Sequence, residues 1–247
     1  FTTLHASAQP YTIAEPDLSI SKSISPNEVD AGDTITVTLE VENSATASAN
    51  AYDIVVDDVL LDSLYATATF TNLVVHAGWS WSTSSVPGGI AYELRSDPNV
   101  ALGVGQSVVS SFQVDIAQSV QPEQVWQNIA DVRGDTIYGT PPAGIPQRET
   151  SGQDADTLSV TNLSIGKVLT GTSETNVVDS TGSDVQIGEV VTYRLDVELP
   201  ETTVPGLVVT DRIPAGLAYV AGRVDTNGFG GLLPLPAEVS GGAGSGA

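Results

Sequence analysis

Two stretches of this chain carry the same pattern of alternating apolar and polar residues, in the same order. Leu18-Ser-Ile-Ser-Lys22 corresponds to Leu163-Ser-Ile-Gly-Lys167. Gly32-Asp-Thr-Ile-Thr-Val-Thr-Leu-Glu-Val41 corresponds to Gly188-Glu-Val-Val-Thr-Tyr-Arg-Leu-Asp-Val197. A period of two is that of a strand with one buried face, and it does not fit a helix, whose apolar positions recur every three to four residues. The match continues from Ile54-Val-Val-Asp-Asp58 to Leu207-Val-Val-Thr-Asp211, and more loosely from Ser63-Leu-Tyr65 to Leu217-Ala-Tyr219. The chain is therefore an internal duplication of a β unit.

Further strands are expected over Leu64–Val75, Gly78–Leu94, Gln106–Ile116 and Val125–Val132. They are separated by the turn signals Pro87-Gly-Gly, Ser96-Asp-Pro-Asn and Gln121-Pro-Glu. Seven or eight short strands with this punctuation, and no amphipathic helix, predict an antiparallel β-sandwich. Gly139–Pro146 reads as an irregular loop. Asp156-Thr-Leu-Ser-Val160, just before the second repeat, resembles Tyr11-Thr-Ile-Ala14, just before the first. Residues 1–15 are thus expected to be the last strand of an upstream repeat, 16–160 a complete sandwich, and 161–247 the first half of a second, cut short in a Gly-rich tail. With Phe1 in place of an initiator methionine, the chain is expected to be part of something longer.

Thirty acidic residues against eight basic ones give a formal net charge of −22, which repels nucleic acid and anionic membranes. No apolar run is long enough to span a bilayer. The absence of Cys excludes disulfides and zinc–thiolate chemistry. A Thr/Ser/Val/Gly-rich chain of this kind suits an exported prokaryotic protein.

The order of motifs carries a resemblance. A strand ending in Lys, then Gly-Asp/Glu-x-Ile/Val-Thr, then Val-Val-x-Asp, then Trp126-Gln-Asn-Ile-Ala130 resembles the prokaryotic "conserved repeat" surface domain and the related isopeptide-forming fimbrial domains of pilins and adhesins. Val208-Val-Thr-Asp-Arg-Ile-Pro-Ala-Gly-Leu-Ala-Tyr219 is close to that pattern. The first repeat departs from it, with Val59-Leu-Leu-Asp62 where the Ile-Pro-Ala-Gly turn stands in the second. The resemblance implies tandem immunoglobulin-like antiparallel β-sandwich repeats, arrays on cell surfaces or filaments, and in some members a Lys–Asn isopeptide bond.

Lys22 and Lys167 are the only lysines of the chain, one per repeat. In a cross-link, a lysine whose burial favours the neutral amine attacks an asparagine carboxamide, and a buried acid polarises the carbonyl. The assignments are Lys22 as nucleophile, Asn128 as electrophile and Asp58 as acid. Parity places Lys22 with Leu18 and Ile20, Asp58 with Ile54 and Val56, and Asn128 with Trp126 and Ala130, so all three can point inward. A buried Lys22–Asp58 ion pair without a bond, or a surface lysine, remain alternatives. In the second repeat Lys167 and Asp211 form an incomplete set, since the matching asparagine would lie past Ala247.

Other constellations are weaker. The acids Asp154 and Asp156, at the domain junction, and Asp30 and Asp33 are candidate Ca²⁺ ligands, although neither pair has the spacing of a known Ca²⁺ loop. No other cofactor is expected. His5 and His76 belong to no catalytic motif, and no nucleophile elbow or phosphate loop is present, so an enzyme is not expected. Trp79 and Trp81 share a strand face and read either as core or as a carbohydrate platform; Trp126 reads as core. The expected role is structural (stalk, filament subunit or surface-layer element), extracellular, with neighbouring repeats or copies of itself as partners. The alternatives are an adhesin module for glycan or protein, and a fibre subunit that exchanges its first strand.

Overall fold

In a computed structural model, residues 11–65, 70–139, 149–174, 185–202, 204–213 and 215–222 are described. The chain divides into two units, Phe1–Val204 and Pro205–Ala247. The first unit is all-β and is built around a two-sheet sandwich. One sheet has the order β1–β3–β8–β5, formed by Leu18–Ser25, Thr34–Asn43, Gln106–Asp115 and Thr71–Val74. The other has the order β2–β10–β9–β4–β7–β6, formed by Glu28–Val29, Glu149–Val160, Val125–Asp135, Tyr52–Leu61, Gly89–Ser96 and Trp79–Val86. Every pairing is antiparallel except β2 with β10.

The alternation legible in the sequence is the alternation of burial. On β1, Leu18, Ile20, Lys22 and Ile24 are buried while the intervening serines are exposed. On β3, Ile35, Val37, Leu39 and Val41 face the core. They meet Ile54, Val56 and Leu60 of β4, Leu94 of β7, and Ala130 and Val132 of β9 in a single cluster. Trp79 is buried, and Trp81 and Trp126 pack half-buried against that cluster.

Several expected strands change. Gly78–Leu94 is a hairpin, β6 and β7, closed at Pro87-Gly88, where Gly88 takes the left-handed φ of 79° that glycine tolerates best. Within the expected Leu64–Val75, the described strand is Thr71–Val74, and residues 66–69 lie outside the described residues. Leu64 and Tyr65, both buried, sit in a turn whose amides return to Leu61 O, and Tyr65 makes only an isolated antiparallel bridge with Ile116. Strand β10 begins seven residues before Asp156. Its first part carries no run of apolar residues, so hydrophobic periodicity could not reveal it. The Gly139–Pro146 loop, apart from Gly139, lies outside the described residues, as do residues 1–10 and the Gly-rich tail.

Residues 11–14 form no strand and are largely exposed, whereas Glu15 and Asp17 bond to Ser48, Ala49 and Ser44 of the same sandwich. Asn43, fully buried at the end of β3, ties this entry down. Its Oδ1 accepts the Asp17 N–H at 3.0 Å, and its Nδ2 donates to Ala49 O at 2.9 Å and Leu102 O at 3.0 Å.

After the sandwich, Ser164–Thr172 (β11) and Val191–Glu198 (β12) form an antiparallel hairpin. Lys167 pairs with Leu195 there as Lys22 pairs with Leu39 in β1–β3, so the duplicated motifs share one register. Ile165 and Leu195, counterparts of the buried Ile20 and Leu39, are exposed. In the second unit, residues 207–211 form no strand, contrary to the match with β4. In the first repeat β4 is held between β7 and β9; among the described residues no counterparts of those strands stand beside 207–211.

Replacing Asn43 by Ala should lower stability by about 1–3 kcal/mol, because the buried Leu102 carbonyl and two part-buried backbone groups, Asp17 N–H and Ala49 O, lose their partner. The measurement is the midpoint of urea unfolding followed by tryptophan fluorescence.

Candidate cross-linking site

Three strands from both sheets converge on one buried point. Lys22 enters from β1, Asp58 from β4 and Asn128 from β9, with 5%, 3% and 8% of their surfaces exposed. The side chains of Lys22 and Asp58 are wholly buried and form an ion pair through Asp58 Oδ2. Asn128 Nδ2 donates to Asp58 Oδ1 at 2.5 Å and to Val59 O at 3.1 Å. Its carbonyl oxygen, Oδ1, is buried without a partner, a state that costs free energy until a donor is supplied. Burial pushes the Lys22 amine below its ordinary range, and the Asp58 charge opposes that push.

Tyr92 belongs to the same point, and sequence reasoning missed it. It lies on β7 directly across from Asp58; its hydroxyl donates to Asp58 Oδ2 and stands 3.5 Å from Lys22 Nζ. Its ring stacks on Trp81, with centroids 4.7 Å apart and planes 15° apart, and meets Phe112 edge-on at 5.0 Å. Phe70 completes the cluster against Trp81 and Phe112. The only sequence signal for Tyr92 was parity with Leu94, an inward position on β7. Trp79 and Trp81 are thus directed at the core rather than displayed as a platform.

The free edge of β1 is closed by side chains of β10. Leu18 N–H donates to Thr150 Oγ1 at 3.4 Å, Lys22 N–H to Asp154 Oδ2 at 2.7 Å and Ile24 N–H to Asp156 Oδ2 at 2.7 Å. At Gly152 the two strands approach closely; a Cβ there would come within 3.0 Å of Leu18 O. Asp156 also pairs with Asn128 across β9–β10, so this ladder holds the lysine strand against the asparagine strand. Asp154 and Asp156, considered for Ca²⁺, are therefore directed at amides. Asp33 likewise accepts Asp30 N–H at 2.8 Å, and Asp30 Oδ1 is buried without a partner. Among the described residues, no three acidic or histidine side chains come together as a metal site.

Lys167 lies exposed on β11, 4.5 Å from the Tyr193 ring centroid, and Asp211 lies exposed in the second unit.

No protein-family model and no curated protein matches this chain. Solved structures with a similar fold include a cohesin module from a Clostridium perfringens ATCC13124 family 33 glycoside hydrolase, at 8% identity over 61% of this chain and 99% of that one, TM-score 0.38. The major pilin SpaA of Corynebacterium diphtheriae is similar at 13% identity over 63% and 40%, TM-score 0.36. The Actinomyces fimbrial adhesin FimA is similar at 17% identity over 61% and 58%, TM-score 0.35. The chain spans less than two thirds of either fimbrial protein, and scores of this size carry no functional weight.

Burial and the neighbouring Asp58 charge raise the Tyr92 and Tyr65 hydroxyls above their ordinary 10.0. Groups raised in the folded state contribute stability that is intact below pH 10 and is lost as pH climbs above it, because the unfolded chain ionises first. Alkaline titration should therefore show two of the seven tyrosines ionising only as circular dichroism reports unfolding. Tyr65→Phe, which removes a hydroxyl with no partner, should move that transition to higher pH.

Proposed function

We propose that this chain is a structural β-sandwich module of an exported, surface-displayed prokaryotic protein, covalently stapled by an isopeptide bond between Lys22 and Asn128. The observation that carries the reading is the convergence of an amine, an acid and a carboxamide, all buried, from the first strand and from two strands of the opposite sheet. A surface lysine would not be buried. A simple ion pair would need neither Asn128 on the other carboxyl oxygen nor that residue's unpartnered carbonyl.

The proposed reaction uses these groups. Lys22 passes one proton to Asp58, and the neutral amine adds to Asn128 Cγ, forming the new C–N bond. The Asn128 carboxamide turns its carbonyl oxygen, which lacked a partner, to Asp58, now an O–H donor, and Asp58 stabilises the negative charge formed there. The added nitrogen gives a proton to the departing Nδ2, the old C–N bond breaks, and ammonia leaves. The dry aromatic wall favours the neutral amine at the outset. The site is spent in one turnover and is closed to a diffusing substrate, so the module is not an enzyme toward external molecules.

The bond would tie β1 to β9 across roughly a hundred residues, a closure worth on the order of 4–5 kcal/mol by analogy with disulfide loops. It would also carry tension directly between strands near the two ends of the sandwich. These properties suit a stalk, filament or surface layer whose partners are neighbouring repeats or further copies of the chain.

Intact mass decides the matter. The chain should weigh about 17 Da less than its residues sum to, one ammonia per bond formed. Lys22→Met, Asp58→Ala and Asn128→Ala should each restore the full mass. A wild-type mass equal to the residue sum would end this reading. In Lys22→Met, thermal unfolding should also show the loss of about 4–5 kcal/mol of closure.

A further inference from the structure

The geometry points to Tyr92 as a positioning residue for this cross-link, holding the Asp58 carboxyl with one oxygen toward Lys22 and the other toward Asn128. The inference rests on the cross-linking reading above and adds a fourth residue to it.

An aspartate turns readily about its terminal torsion, which is broad rather than staggered. Asp58 must nonetheless serve two reactants at once. Oδ2 holds the ammonium, and Oδ1 meets the carboxamide at 2.5 Å. The Tyr92 hydroxyl is the further donor on Oδ2, set by the β4–β7 ladder directly opposite Asp58. The ring that carries it cannot swing away, because Trp81 stacks on one side and Phe112 abuts another. Tyr92 is 1% exposed. Holding a reacting group to within a fraction of an ångström is where such a contact acts on rate. Tyr92 keeps its own proton throughout; the transferred protons move only among Lys22, Asp58 and Asn128.

Tyr65 supplies the contrast. Its hydroxyl is buried close enough to feel the Asp58 charge, yet it bonds to nothing.

The test uses the full chain made by cell-free translation, with aliquots weighed over time across a range of pH. Tryptophan fluorescence reports folding in the same samples. Wild type and Tyr65→Phe should lose ammonia at equal rates. Tyr92→Phe keeps the ring stack and should fold, but form the bond about ten- to a hundred-fold more slowly. Its pH–rate profile should also change shape, because the carboxyl has lost a donor. A packing role alone would scale the rate equally at every pH.

A second measurement covers the case in which Tyr92→Phe does not fold. Translation with fluorotyrosine strengthens the phenol as a donor and should likewise change the shape of the pH–rate profile. An unchanged profile there, or a Tyr92→Phe variant that reacts at the wild-type rate or is slowed uniformly at all pH, overturns the positioning role and leaves the cross-link standing. Wild type that never loses ammonia overturns both.

Discussion

An ammonium group buried in an apolar sandwich is tolerable only beside a carboxylate, and the Lys22–Asp58 pair is the constraint around which the first unit is arranged. The two residues belong to different sheets, so satisfying them fixes how the sheets face one another. A slip of one residue in β1, β4 or β9 would turn a member of the site to solvent and leave the others buried and unsatisfied. Tyr92 and Asn128 then occupy the remaining capacity of the carboxylate. The polar centre therefore specifies register, which the surrounding Val, Ile and Leu residues, interchangeable in character, could not do alone.

A second polar device works at the edge of the sandwich. The outward amides of β1 would otherwise be an open template for another strand. Thr150, Asp154 and Asp156 accept three of them, and the intervals between these residues match those between Leu18, Lys22 and Ile24. The same ladder braces the lysine strand against β9. The abundance of acids, which in composition looks like mere solubility, includes members that replace backbone partners.

The legibility of the sequence follows the same division. Where one face was apolar, as on β1, β3, β4 and β8, period two was readable, and the inward parity of Lys22, Asp58 and Asn128 came with it. Where a strand buries polar side chains, as in the first half of β10, hydropathy carried no signal. Tyr92 was invisible as a site residue because its ring obeys the core pattern and only its hydroxyl is exceptional. The Leu64–Tyr65 turn was misread because both residues are apolar and both buried, a local geometry that alternation cannot encode. The duplication predicted a strand at 207–211, but a strand requires neighbours as well as a suitable sequence.

The ladder between β1 and β10 has one further geometric consequence. The contacts join Leu18 to Thr150, Lys22 to Asp154 and Ile24 to Asp156, and β2 pairs with the end of β10 in parallel. The first and last strands of the sandwich thus run side by side in the same direction. A chain that enters beside the start of a twelve-residue strand and leaves at its far end has travelled roughly 35–40 Å along one axis. Entry and exit of the sandwich therefore lie at its opposite poles, and the length of β10 sets the distance between them.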